Sequence, residues 1–329
     1  MSGDTDNSSL SSGAAILMPW GSRYAGQAAD ASSRRSIEIK PSGDGRELIG
    51  TRDSHSVVDY FYHEGRFWRA IIPLDGIDQV FGQAFNFSKP RIRRGENGHE
   101  ILFNKHGLPR RTIPILNHAQ SRFTLKPDQP AELYPLGSEE FGVPVHRIHD
   151  IIYSLEVVGP VGITFNVRDG LAGNLITAHR FLSIHEMVFE RLVVEKQYVT
   201  ESPPLPLEER ETRALFIESL LRSHRAGMTE PYYLYRMCGT NNCTSNPFQI
   251  VDSVVKYRWP QRIGSGLYRL PLNPRFYLWV RGLDSDPSFR KLVRSEFEAY
   301  IADASIQQRK RDYVRHQIRI RRAAREAQP

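Results

Sequence analysis

The run Ile151-Ile152-Tyr153-Ser154-Leu155-Glu156 is the most strand-like piece of the chain, and it closes on a carboxylate. β-Branched and aromatic residues fit a pleated, buried surface, so the run predicts a sheet strand within 148–158. A carboxylate at the end of such a run is costly to bury without a partner. The plain alternative is that Glu156 faces solvent at a strand end. Two more strand-like runs lie at 112–125, with Asn117-His118 in its middle, and at 162–167. Residues 56–62 and 67–72 flank His63-Glu64-Gly65-Arg66 and read as a hairpin. A short strand is expected at 36–39.

Helical patterning is confined to the second half. Residues 207–224 carry Leu215, Phe216, Ile217, Leu220 and Leu221 at helical spacing, with Glu208, Glu209 and Glu211 in the first turn where the helix dipole favours them. A second helix is expected over 247–257, opened by Pro247. Residues 183–197 split into a short helix and a strand. Residues 258–286 read as a Gly/Pro/aromatic-rich loop, and a helix from 286 runs nearly to the end. The expected fold is therefore α+β, an antiparallel sheet flanked by helices. Residues 1–50 read as a disordered tail rich in Ser, Gly, Asp and Ala. Residues 51–111 read as a β-hairpin region with an irregular excursion at 88–112. Residues 112–260 form the core, and 261–329 form a loop and a basic C-terminal helix.

The 329 residues hold no apolar run long enough to span a bilayer, and the Ser/Asp-rich start does not read as a secretory signal. A cytoplasmic setting with reduced thiols is the default, since two cysteines make no disulfide framework. Much of the net charge of +7 sits at the C-terminus, in Arg309, Lys310, Arg311, Arg315, Arg319, Arg321, Arg322 and Arg325. With only Tyr313, Val314, Ile318 and Ile320 as an apolar side, this segment reads first as a solvated helix. Contact with an anionic membrane surface or with nucleic acid is the sharper alternative. The basic run holds no aromatic stacking cluster.

Chemistry concentrates at Thr240-Asn241-Asn242-Cys243-Thr244-Ser245, a small polar run just before a helix start. Free backbone N–H groups there favour thiolate over thiol. The bland reading is a small buried core cysteine, but Asn241, Asn242, Thr244 and Ser245 are poor core company. Cys238, beside Met237, reads as buried and inert. A Cys238/Cys243 metal site lacks a second cysteine pair, so neither metal nor cofactor is expected. A nucleophilic cysteine needs a base, most often histidine. His118 lies in a strand pattern; His146, His149, His179, His185 and His224 lie in loop or helix contexts and read as ordinary surface or hydrogen-bonded histidines.

Taken in order, several segments resemble the Lnb-like family, whose best-known activity is bacterial lipoprotein N-acyl transfer. They are Asn117-His118, Ser121 to Leu125, Ser154-Leu155-Glu156, Asp169 to Gly173, Ile184 to Arg191, the helix ending at His224, Tyr232-Tyr233, and Asn241-Asn242-Cys243-Thr244. The resemblance covers roughly residues 112 to 260. It implies a permuted papain-like (NlpC/P60-type) core, with the His strand before the Cys helix. Cys243 then matches the nucleophile, His118 the base and Glu156 the orienting polar residue. Asn242, or a backbone N–H near Cys243 and Thr244, would support an oxyanion. The implied chemistry is attack on an ester or amide carbonyl of a lipid or peptide-like substrate, through an acyl-enzyme. Family acyltransferases are membrane-anchored and work outside the cytoplasm, and no spanning helix is seen here. A cysteine peptidase or amidase is the enzymatic alternative, and a non-catalytic structural or binding protein the other.

Overall fold

A computed structural model of the chain describes residues 15–40, 55–95, 98–114, 116–138, 141–163, 165–236, 241–265, 273–284 and 291–326. The architecture is α+β, built on a large, mostly antiparallel sheet. Its strands are β1 (Glu38–Ile39), β2 (His55–His63), β3 (Arg66–Pro73), β4 (Ile77–Asn86), β7 (Asn117–Leu125), β8 (Ala131–Pro135), β9 (His146–Ile148), β10 (Asp150–Val158), β11 (Leu175–Ser183), β12 (Thr200–Pro204), β13 (Pro231–Tyr232) and β14 (Lys291–Leu292). The order is β14-β12-β4-β7-β10-β11-β2-β3-β8-β9, with β1 added on β2 and β13 on β11. A separate pair, β5 (Ile92–Gly95) and β6 (Gly98–Ile101), lies in the 88–112 excursion. The β11–β2 pairing is parallel and the remaining described pairings are antiparallel.

The middle of this sheet is covered on both faces, which explains why β10 and β11 do not alternate between apolar and polar residues. Every residue of β11 is buried. One face carries Ile151, Tyr153 and Phe181 against Leu215, Phe216 and Leu220 of α3 (Glu209–Ala226). There the Phe216 ring meets Phe123 and Phe181 edge-on, at 5.0 and 5.8 Å. The opposite face packs Ile152 and Leu182 against Met187, Phe189 and Leu192.

Several expectations are corrected. Residues 15–40 are not a disordered tail: Met18, Ile37 and Ile39 are buried and β1 pairs with β2. Of the apolar residues of this stretch Met18, Ile37 and Ile39 dock, while Leu17 and Trp20 stay exposed. The 51–111 hairpin region is no separate unit, since β2, β3 and β4 belong to the same sheet as β7 and β10. Around Gly162, Ile163, Phe165 and Asn166 the chain is not strand but leads into α1 (Val167–Ala172), because Asn166 Oδ1 accepts the Asp169 N–H at 2.8 Å and caps the helix; Thr164 lies outside the described residues. Beyond Ser183, the last residue of β11, residues 184–197 hold no strand. Ser183 caps α2 (Ile184–Val188), which runs on into a π-helical turn at Phe189–Val194 whose Phe189, Leu192 and Val193 are buried. The described parts of the expected 258–286 loop hold α5 (Trp259–Ser265) and α6 (Pro274–Val280), the second capped by Asn273; residues 266–272 and 285–286 lie outside the described residues. The expected single C-terminal helix is divided into β14, α7 (Val293–Glu296), α8 (Glu298–Ala302) and α9 (Ala304–Glu326). No helix among the described residues is long and apolar enough to cross a membrane.

Candidate active site

Cys243 stands just ahead of α4 (Ser245–Val254), two residues earlier than the expected helix start at Pro247. Asn242 causes the shift. Its Oδ1 accepts the N–H groups of Thr244 (2.9 Å) and Ser245 (2.7 Å), and its Nδ2 donates to Leu234 O (2.8 Å). The buried Asn242 side chain is thus committed to capping and anchoring the loop, which takes it away from the oxyanion role. Thr244 Oγ1 donates to Asn117 O at 2.9 Å, and the Cys243 thiol points to the same carbonyl at 3.7 Å. Thr244 therefore ties the cysteine loop to the strand that carries the histidine. The Tyr232 hydroxyl also reaches Cys243 Sγ. Cys238 lies outside the described residues.

His118 is the second residue of β7, buried, with its ring stacked on Phe85 at 4.7 Å. Its Nε2 meets Ser154 Oγ at 2.8 Å, and Ser154 Oγ donates to Glu156 Oε1 at 2.8 Å. The direct His118–Glu156 separation is 3.7 Å. Residues 154 and 156 share one face of β10, as period-two alternation requires. Since the Ser154 hydroxyl proton goes to the carboxylate, Nε2 is the donor nitrogen of His118 and Nδ1 is the basic one. Glu156 is buried and paired with Arg191 of the π-helical turn, and Arg191 also holds Glu195 at 2.9 Å. The buried carboxylate thus has the partner it needs. Ser154 stood inside a quoted motif without a role, and Arg191 closed another. Nothing in their spacing announces that they meet.

The electrostatics favour a neutral pair at rest. Burial, helped by the Glu156 charge, pushes the Cys243 thiol up to about 12. Burial pushes His118 down to about 4 against the pull of Glu156. Arg191 and His118 hold Glu156 ionised, well below the usual carboxylate range, although burial opposes this. The thiolate expected from the helix start is therefore not the resting form, because the thiol is buried.

Cys243, His118 and Glu156 line one cavity of roughly 240 Å3. Phe85, Phe87, Leu155, Phe165 and Tyr232 form its apolar wall; Arg34, Arg191, Glu195 and Gln197 form a polar one. Arg34 comes from the N-terminal segment and donates to Val157 O at 3.3 Å. Beyond Phe85 and Asn117 lies a second, polar cavity of roughly 540 Å3 lined by Arg91, Arg110, Arg111 and Arg275. The other histidines lie elsewhere. His179 Nδ1 meets the Tyr153 hydroxyl at 2.6 Å, His224 Nδ1 accepts from Ile39 N, His149 is exposed, and His185 packs on Tyr300. Of the basic tail, Arg309 is engaged with Glu186 at 2.7 Å and lies over the Phe189 ring. Arg311, Arg315, Arg319 and Arg322 are exposed. No family model, no curated protein and no solved structure matches the chain.

Proposed function

We propose that this chain is a cysteine-dependent acyltransferase or hydrolase on a permuted papain-like core, as its resemblance to the Lnb-like family implies. The observation that carries the reading is the His118–Ser154–Glu156 hydrogen-bond chain, ending on a cavity that Cys243 also lines. In this reading His118 Nδ1 takes the Cys243 proton as sulfur attacks the ester or amide carbonyl. The tetrahedral adduct collapses, the leaving group takes the proton back from His118, and a thioester remains. An acceptor amine or water then attacks the thioester, giving its proton to His118, and sulfur leaves and is reprotonated. Glu156, through Ser154, holds the imidazole and stabilises the imidazolium while it exists. With Asn242 committed elsewhere, the oxyanion would rely on backbone N–H groups near Cys243 and on the Tyr232 hydroxyl.

The cavity is small beside the roughly 300–1,000 Å3 of ordinary ligand sites, which suits the reacting end of a substrate rather than a whole lipid chain. Its charged wall of Arg34, Arg191 and Glu195 favours a second reading, an amidase or peptidase taking a polar acyl group. The exposed basic side chains of α9 are candidates for contact with an anionic membrane or nucleic acid. The test is single-turnover reaction with activated esters and amides, followed by intact mass. A mass gain on Cys243 is expected, absent in Cys243→Ala, with the acylation rate lowered about 10²–10⁴-fold in His118→Ala. No acylation of a folded protein by any ester or amide would leave the binding-protein alternative.

A further inference from the structure

We propose that His63, Glu64 and His146 form a divalent-metal site suited to Zn2+ or Co2+, with an open coordination position facing a separate cavity. The three residues come from the end of β2, the β2–β3 turn and β9, on the far side of β11 from the cysteine site. One ligand atom from each lies within 4.8 Å of the others. His63 Nε2 is 3.9 Å from Glu64 Oε1, and His146 Nε2 is 3.7 Å from Glu64 Oε2. Tetrahedral zinc with bonds near 2.0–2.1 Å holds its ligand atoms roughly 3.4 Å apart. The gaps close by a small turn of the Glu64 side chain, which is 59 % exposed.

Three further features aim these groups at one point. Nδ1 of His63 is hydrogen-bonded to Ser183 Oγ at 2.7 Å, which fixes the ring and leaves Nε2 toward Glu64. A hydrogen bond of this kind to the other ring nitrogen is what orients metal-binding histidines. The His146 ring is held edge-on between His63 (4.7 Å) and Trp68 (4.9 Å). Glu64 has φ +49, a left-handed conformation in a two-residue hairpin turn where Asn, Asp or Gly is the usual occupant. The hairpin accepts that strain while carrying a carboxylate to the two imidazoles.

The surrounding charge permits a cation. Arg309 is neutralised by Glu186 at 2.7 Å, and the Arg66 guanidinium is stacked over Trp68 at 3.8 Å. Two imidazoles and a carboxylate leave a tetrahedral ion one position for water or substrate, the pattern of catalytic rather than closed structural zinc. That position opens on a cavity of roughly 700 Å3 bordered by His185, Glu186, Tyr300 and Arg309. Nitrogen and oxygen donors suit zinc and cobalt better than soft, thiol-seeking metals.

The experiment titrates the full chain with Co2+ and Zn2+ by calorimetry and visible absorption. Cys238→Ser and Cys243→Ser in the background exclude thiol ligation. One equivalent should bind, with the visible bands of four-coordinate cobalt, and His146→Ala and Glu64→Gln should each weaken binding at least about 10-fold. Circular dichroism identifies a variant that fails to fold, in which case the other, nearly isosteric or surface-placed, decides. Absence of a bound equivalent, or binding unchanged in the folded variants, overturns the site. The readout is metal occupancy, so it is independent of whether Cys243 is a nucleophile.

Discussion

At Cys243 the proton rests on sulfur, and this sets the pH behaviour of the thiol. Thiolate is the reactive species, and a thiol pushed up to about 12 has little of it at neutral pH. Alkylation by iodoacetamide should therefore climb steadily through the alkaline range, with no plateau surviving below pH 7. A rapid, pH-independent rate at pH 5–6 would show instead a preformed thiolate–imidazolium pair. Glu156 makes a second residue-level prediction. Glu156→Gln leaves the buried Arg191 with one carboxylate fewer, and breaking a buried pair in this way costs about 3–5 kcal/mol. Urea unfolding should show a loss of that size; a loss under about 1 kcal/mol would mean that Glu195 suffices for Arg191. Cys243 and Glu156 stood out as candidates by their local sequence, His118 was offered as base only by the family resemblance, and the three line one cavity. Ser154, Arg191 and Arg34 did not stand out, because their roles come from contacts between distant segments. Asn242, which the resemblance offered beside a backbone N–H for the oxyanion, caps the start of α4 through its Oδ1, a start the sequence placed two residues late.

The element that positions the cysteine is α1 together with its neighbours. Gly170 O accepts the Leu234 N–H at 2.9 Å, and Leu234 O accepts from Asn242. Gly173 ends α1 at φ +73, with the Tyr233 ring packed over it. A Cβ there would sit 2.3 Å from Tyr233 Cε1, and the backbone would be strained besides. Gly173→Ala should cost more than about 1 kcal/mol of stability, and it should change the alkylation rate of Cys243 by displacing Tyr233 and the loop behind it. An unchanged rate in a destabilised protein would detach α1 from the site. The two glycines of Gly170-Leu171-Ala172-Gly173 give the segment the composition of a turn, and its last residue ends α1. Its helix was hidden because the cap, Asn166, lies outside any apolar periodicity. In 183–197 the β-branched Val193 and Val194 pointed to a strand, yet burial of Phe189 and Leu192 beside them holds a helical turn. Tertiary packing there outweighs β-propensity.

Across the whole molecule, buried neutral histidines couple stability to pH. His118 is pushed down from 6.5 to about 4, and His179 well below its usual value, both chiefly by burial. The unfolded chain binds these protons first, so stability is present above 6.5 and is lost as pH falls from 6.5 toward 4, by about 1.4 kcal/mol per pH unit for each group. Glu156, ionised far below its ordinary range, adds to the loss below about 4.5. Unfolding free energies measured between pH 7 and 4 should fall on acidification; a flat profile would mean that these rings are solvated. The antiparallel sheet and its helices were legible at this scale from the runs at 112–125, 148–158 and 207–224. The attachment of residues 15–40 was legible only at the expected 36–39 strand, where β1 pairs with β2, because the other apolar side chains of this stretch carry no period.

The Asn117 carbonyl receives both Thr244 Oγ1 and the Cys243 thiol, and the next residue along the strand is His118. A planar peptide unit therefore links the cysteine loop directly to the strand position that precedes His118. Thr244 Oγ1 and the Cys243 thiol are thereby registered against β7 one residue from His118. The cysteine loop and the histidine strand thus meet at a single peptide group, so whatever displaces Asn117 displaces both.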